Sequence, residues 1–202
     1  MNVEPVRLQG RHIHLVPLTL DHAPDLFRHA GPDTFRWVLE FPRDDSFEAF
    51  RDWLRTSAIE AAASLPFAMV LADTGEPIGA TGFLEIRPAH RSLEIGRSWI
   101  SKAWQGSLVN PESKLLLFRH AFETLGANRV QLKTDSNNLH SQRAIEKLGA
   151  VREGVLRRYQ VRSNGLPRDT VMYSVIAEEW PEVKARLEAR LAAGPSPVPS
   201  AG

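Results

Sequence analysis

The stretch that decides the fold runs from Leu93 to Ala150. It reads LEIGRSWI over 93–100, SKAWQGSLVNPESK over 101–114, LLLFRHAFETLGA over 115–127, NRVQLKTD over 128–135 and SNNLHSQRAIEKLGA over 136–150. Leu93 to Ile100 has strand composition. Asn110-Pro111-Glu112 reads as a helix start: an Asn cap, a Pro at the first helical position and an acid in the first turn. Leu115, Leu116, Phe118, Ala121, Phe122 and Leu125 give that helix a broad apolar face, and Gly126 ends it. Arg129–Lys133 is a short strand, polar Asp135–Asn138 a turn, and a second helix runs from about Asn138 to Leu148 and stops at Gly149.

Upstream, Phe67–Ala72, Ile78–Ile86 and Leu93–Ile100 are strand-like runs. They are separated by Asp73-Thr74-Gly75 and Pro88-Ala89-His90, turn compositions that imply antiparallel neighbours. The first third is α-rich. It holds a strand at His12–Val16, a helix over about Asp21–His29, and a helix capped by Ser46 that reaches Ala63. Downstream, strands over about Ala150–Arg162 and Asp169–Ile176 flank the hairpin signal Ser163-Asn164-Gly165, and Pro181 opens a last helix. The pattern predicts one α/β (α+β) domain over residues 1–193, with a mixed, mostly antiparallel twisted sheet flanked by helices. Residues 194–202 are expected to be a disordered tail.

Composition narrows the chemistry. The chain has 202 residues and a formal net charge of +1, unevenly spread. Residues 1–100 hold 10 Arg and 14 Asp+Glu; residues 101–202 hold 15 Lys+Arg and 10 Asp+Glu. The basic second half suits an anionic ligand, but no cluster is dense enough to argue for nucleic acid. With no Cys, disulfides, thiolate metal sites and cysteine nucleophiles are excluded. No apolar run is long enough to span a membrane, and Met1-Asn2-Val3-Glu4 has no leader character, so a cytoplasmic chain is expected. There is no Walker loop, Gly-x-Gly-x-x-Gly, His-Glu-x-x-His or Gly-x-Ser-x-Gly. His12 and His14, with His22 or His29, lack companion acidic ligands, so no metal site is expected.

The order and spacing over Leu93–Ala150 resemble the Gcn5-related N-acetyltransferase (GNAT) superfamily, across roughly residues 10–180. Asn110–Lys114, Leu148-Gly149-Ala150 and Gly154-Val155-Leu156-Arg157 look most like its ribosomal-protein N-terminal acetyltransferase (RimJ/RimL) branch. The resemblance implies acetyl-CoA as co-substrate and an amine acceptor (a protein N-terminus or a small molecule), and it is compatible with a homodimer. Its cofactor loop falls on Gln105, Gly106, Ser107, Leu108, Val109 and Asn110, before a helix N-terminus able to hold a pyrophosphate. Leu108 and Asn110 stand where the family pattern has small residues; Leu108 is expected to crowd the phosphates, Asn110 is the milder departure, and the alternative is a degenerate CoA-binding or interaction module without catalysis. Lys114, read as a first-turn cation, is a candidate phosphate ligand.

Acetyl transfer to an amine needs a base, donors for an oxyanion and a proton for the leaving thiolate. Glu94 stands where the superfamily often places its base, and Glu85 on the preceding strand competes with it. The backbone N–H groups near Trp99 and Ile100 are the oxyanion candidates. Many superfamily members protonate the thiolate with a Tyr, whose position here is Ile145. The resemblance to RimL-type enzymes, which use a serine there, makes Ser141 the substitute donor; its alternative is helix-start capping. Asn138 is read as a ligand of the pantetheine amide, a helix cap, or both. Trp37, Phe41 and Phe50 line an acceptor groove or belong to the core.

Overall fold

The computed structural model describes residues 1–194, except the side chains of Pro32 and Asp33. Eight strands form one sheet: β1 (Leu8–Gln9), β2 (Ile13–Pro17), β3 (Leu65–Leu71), β4 (Pro77–Arg87), β5 (Ser92–Ile100), β6 (Arg129–Asp135), β7 (Val151–Val161) and β8 (Pro167–Ile176). Their spatial order is β1-β2-β3-β4-β5-β6-β8-β7. All neighbours are antiparallel except β5 and β6, whose parallel pairing covers only Ser92↔Arg129, Leu93↔Val130 and Glu94↔Gln131. The helices are α1 (Ala23–His29), α2 (Pro32–Phe35), α3 (Phe47–Leu54), α4 (Val109–Arg119), α5 (Leu139–Leu148) and α6 (Trp180–Ala193).

Each face of the sheet carries its own core, because strand residues alternate between faces. On one, Ile13, Phe67, Phe83, Leu93, Ile95, Val130 and Tyr173 pack with Leu116 and Phe118 of α4 and Val183 and Leu187 of α6. On the other, Leu26 of α1 and Phe50 and Leu54 of α3 cover Ala68, Ala80 and Trp99. Ser46 caps α3 as its sequence predicts, its Oγ accepting the Ala49 amide at 3.2 Å. Glu112 of α4 ties the N-terminal hairpin down. Its buried carboxylate accepts the amides of Arg11, His12 and Ile13 at 2.7, 2.9 and 2.9 Å.

Several boundaries differ from expectation. The short β1 and α2 carry too little periodicity to be read from sequence. The helix expected to reach Ala63 ends at Leu54 and loosens into a π turn over Arg55–Ile59, and α4 does the same over His120–Thr124. Asn110 is not the cap of α4. The helix starts two residues earlier than that reading requires, with Leu108 as N-cap and Ser107 Oγ accepting the Val109 amide at 3.2 Å. Asn110 and Pro111 then sit within the first turn, where the amide Pro lacks has no intrahelical partner. Of the expected tail, residues 195–202 lie outside the described residues.

Candidate active site

The parallel pair β5–β6 ends at Glu94 and Gln131, yet β5 continues to Ile100 and β6 to Asp135. Beyond Glu94 the two strands part and leave a crevice at their carboxyl ends. α4 follows β5 and α5 follows β6, so both helix N-termini face that end. This is where open α/β sheets bind ligands and where unpaired amides favour an anion. The loop between β5 and α4 carries Gly106 at φ +80° in open space. Gln105 Nε2 donates to the Ile100 carbonyl at 3.3 Å, and Ser107 Oγ to that of Trp104 at 2.6 Å.

Leu108 does not crowd this loop. Its φ of −76° is ordinary, and its side chain turns to the end of α6, where a Cβ on Gly194 would stand 2.6 Å from Leu108 Cδ2. Val109 is buried in the core beneath the helix start. Lys114 lies in the second turn of α4 and points into the protein. Its buried Nζ donates to Ser98 Oγ at 2.6 Å and Thr81 Oγ1 at 3.3 Å. With no carboxylate beside it, burial pulls its pKa down to about 7. An ammonium in this position is directed at the sheet, not at the loop.

Along β5, Ser101 N bonds the Ile78 carbonyl on β4 at 2.8 Å. Alternation then turns the Ile100 amide towards the crevice and the Trp99 amide towards β4. The Trp99 indole packs edge-on against Phe50, 6.5 Å between ring centroids. Phe50 is therefore core. Phe41 is exposed, and Trp37 lies under the Arg36 guanidinium at 5.0 Å.

Glu94 sits at the apex of the crevice, 2% exposed. Lys133 Nζ lies 2.9 Å from its Oε2 and 2.6 Å from Glu85 Oε1. Gln131 Nε2 donates to Glu94 Oε2 and Glu85 Oε2, both at 3.2 Å. The other oxygen, Glu94 Oε1, lies over Gly96, where a Cβ would approach it to 2.7 Å. Burial pushes the Glu94 pKa up, against the pull of Lys133 and Gln131, and the charge of Glu85 adds to the rise. For Glu85 burial acts in the same upward direction, but Lys133 and Arg87 overcome it and hold the pKa below the usual value. Arg87 Nη2 is 2.7 Å from Glu85 Oε2. The two carboxylates thus have opposite tendencies, the buried one raised and the outer one lowered.

Glu85 reaches this cluster through a bulge. Between Leu84 and Arg87 one extra β4 residue is inserted against β5, and Glu85 takes φ 46°. A regular strand would send consecutive side chains to opposite faces, and the bulge re-aims this one. A second bulge on β5 places Arg97 at φ 49°. Neither Lys133 nor Gln131 is singled out by the sequence. Only the β5–β6 register brings them to Glu94, although the polar alternation Gln131-Lys133-Asp135 on a strand is a signal for a polar face.

Asn138 caps α5, its Oδ1 accepting the Ser141 amide at 3.1 Å. Ser141 stands in the first turn of α5, at the β6 side of the crevice. Ile145 is buried and adds no polar group. Among the described residues no group of three or more His, Asp or Glu could hold a metal ion, and no helix is long and apolar enough to cross a membrane.

The profile of the Acetyltransferase (GNAT) domain family matches residues 12–151. The N-acetyltransferase YoaA of Bacillus subtilis, described as uncharacterised, is 36% identical over 104 residues, an alignment spanning 52% of this chain and 58% of YoaA. The chain thus spans little more than half the length of that relative. YdaF of the same organism, provisionally named a ribosomal N-acetyltransferase, is 29% identical over 154 residues, 72% of this chain and 79% of YdaF. A Thermus thermophilus crystal structure, provisionally described as that of an acetyltransferase, superposes with a TM-score of 0.89 at 44% identity, covering 95% of this chain and 100% of that one. The fold is also shared with Mycobacterium smegmatis RimJ, solved in complex with CoA-disulfide, at TM-score 0.75 and 22% identity over 92% of this chain and 94% of RimJ. The open parallel pair with two helix N-termini at its mouth thus lies in a fold shared with these structures. The chain belongs to the GNAT acetyltransferase family.

Proposed function

We propose that the chain transfers an acetyl group from acetyl-CoA to a primary amine, a protein N-terminal α-amine or a small amine, by direct attack. One observation carries this reading: β5 and β6 part immediately after Glu94, and the second oxygen of that carboxylate overlies Gly96 at the start of the gap. The name of YdaF favours a protein acceptor.

In this reading the first-turn amides of α4 and the Gln105–Asn110 loop hold the pyrophosphate. The parted backbone of Trp99 and Ile100 and the Asn138 side chain flank the pantetheine. Glu94 accepts the proton of the incoming ammonium, and the neutral amine attacks the thioester carbonyl. The Ile100 amide, aimed into the gap, donates to the tetrahedral oxyanion. Collapse expels the CoA thiolate, which takes the Ser141 proton; the serine regains one from the positively charged nitrogen, leaving the neutral amide, and Glu94 returns its proton to solvent. An α-amine with its ordinary pKa of about 7.7–8.0 needs only a modest base, which suits a carboxylate raised by burial.

Calorimetric titration with acetyl-CoA, with ATP as comparison, tests the cofactor half directly. Micromolar acetyl-CoA affinity with much weaker ATP binding is the expected result. No acetyl-CoA binding would overturn the assignment.

A further inference from the structure

The polar face beside the crevice has two ends. At one, Glu85 and Glu94 meet the ammonium of Lys133, and Glu85 also pairs with Arg87. At the other, Arg162 and Arg168 share the single carboxylate of Asp135. Arg162 Nη2 pairs with Asp135 Oδ2, and Arg168 Nε lies 3.6 Å from the same atom. Asp135 Oδ1 is already occupied by the Asn137 amide at 2.8 Å. One carboxylate cannot saturate two guanidiniums and an amide.

The shortfall is visible in the side chains. Arg168 is 8% exposed, and its Nε makes no hydrogen bond among the described residues. The same holds for Thr170 Oγ1, two residues along the strand and fully buried. Buried donors are rarely left unpaired without a functional reason. Arg162 shows which acceptor suits this end, since its Nη1 takes the backbone carbonyls of Val38 at 2.9 Å and Arg36 at 3.3 Å.

Both ends lie on one face. Glu94 pairs with Gln131 and Asp135 with Thr170, and Gln131, Lys133 and Asp135 alternate along β6. Four residues of strand separate the two levels, about 13 Å of backbone. Within that interval Lys133 reaches towards Glu94, and Arg168 reaches back to Asp135.

Resting on the acetyltransferase reading above, we infer that the Arg168 guanidinium, beside Arg162, forms a second acceptor subsite that takes a carbonyl or carboxylate oxygen several bonds from the reacting amine. The carboxylate end receives the amine and the guanidinium end receives the oxygen. A polyamine would bring a second cation to the guanidiniums and is disfavoured. A simple alkylamine would leave them unmatched. A short peptide, at about 3.3 Å per residue, offers both groups on one molecule.

The test is a panel of acceptors under acetyl-CoA saturation, read as thiol release: a neutral tripeptide amide, glycinamide, propylamine and spermidine, with kcat/KM corrected for the free-amine fraction. The tripeptide amide is expected to exceed propylamine and spermidine by about ten-fold or more, the scale of one hydrogen bond to a charged group. In Arg168→Gln that ratio falls towards one, chiefly through the KM of the tripeptide. Propylamine or spermidine matching the tripeptide in the wild-type protein would overturn the subsite and leave acetyl transfer standing. So would an Arg168→Gln protein of unchanged melting temperature that keeps the wild-type ratio. No transfer to any member of the panel would overturn both the subsite and the function beneath it.

Discussion

Lys133 of β6 bridges Glu94 of β5 and Glu85 of β4, its Nζ 2.9 Å from one carboxylate and 2.6 Å from the other. Burial alone would lower its pKa, but the two carboxylates raise it, so it remains a fixed cation across the working range. It limits how far burial can raise Glu94. Removing it in Lys133→Met leaves Glu94 buried without its cation, and its pKa climbs further. Since the base acts when ionised, the rising limb of kcat/KM against pH moves to higher pH. At any fixed pH on that limb, each pKa unit of displacement lowers activity about ten-fold. A superimposable profile would show that Lys133 does not govern the base.

Lys114 predicts a pH-dependent stability. Its folded pKa of about 7 lies below the ordinary value of 10.5, so between those values the unfolded chain binds more protons. Stability then rises with pH through that window, because ∂ΔG/∂pH takes the sign of the unfolded-minus-folded proton count. Lys114→Met removes the buried ammonium, while Thr81 Oγ1 and Ser98 Oγ still bond each other at 2.7 Å. The variant is expected to be more stable than wild type near pH 6, by about 1–4 kcal/mol, with the advantage shrinking towards pH 10. Urea denaturation at the two pH values measures this, and an advantage independent of pH would contradict it.

Glu112 anchors the hairpin. Glu112→Ala strips the acceptor from three amides at residues 11–13. Each buried donor left unmet costs about 1–3 kcal/mol, so a loss of about 3 kcal/mol or more is expected in denaturant melts. A loss below about 1 kcal/mol would mean that water replaces the carboxylate without penalty.

Ser141→Ala tests the leaving-group step. Turnover is expected to fall by about a hundred-fold, the lower range for a lost proton donor, with acetyl-CoA affinity held within a few-fold. Unchanged turnover would remove this serine from the mechanism.

The periodicities over Leu93–Ala150 suffice for the strand–helix–strand–helix order, and the resemblance they carry leads to the family that the chain belongs to. Glu94 is singled out by the resemblance, which places a base on this strand. Its environment is not. Lys133 is 39 residues further along the chain and Glu85 nine residues before, and only the β5–β6 register and a bulge at a left-handed residue unite them. Lys114 escapes the sequence for a related reason. An Asn-Pro pair looks like a helix start, but the helix begins two residues earlier with Leu108 as N-cap, so Lys114 stands in the second turn, where its Nζ meets Ser98 and Thr81. Propensity identifies a helix better than it locates the residue that caps it.

The most direct test of the central claim compares wild type and Glu94→Gln by thiol release from acetyl-CoA with a primary amine, an assay this cysteine-free chain permits without background. Wild type is expected to show a rate that rises with pH along a limb displaced above the ordinary carboxylate range. Glu94→Gln should lose about 10²–10⁴ of that rate and the limb with it, while still binding acetyl-CoA. A Glu94→Gln protein with wild-type rate and the same pH profile would contradict the account.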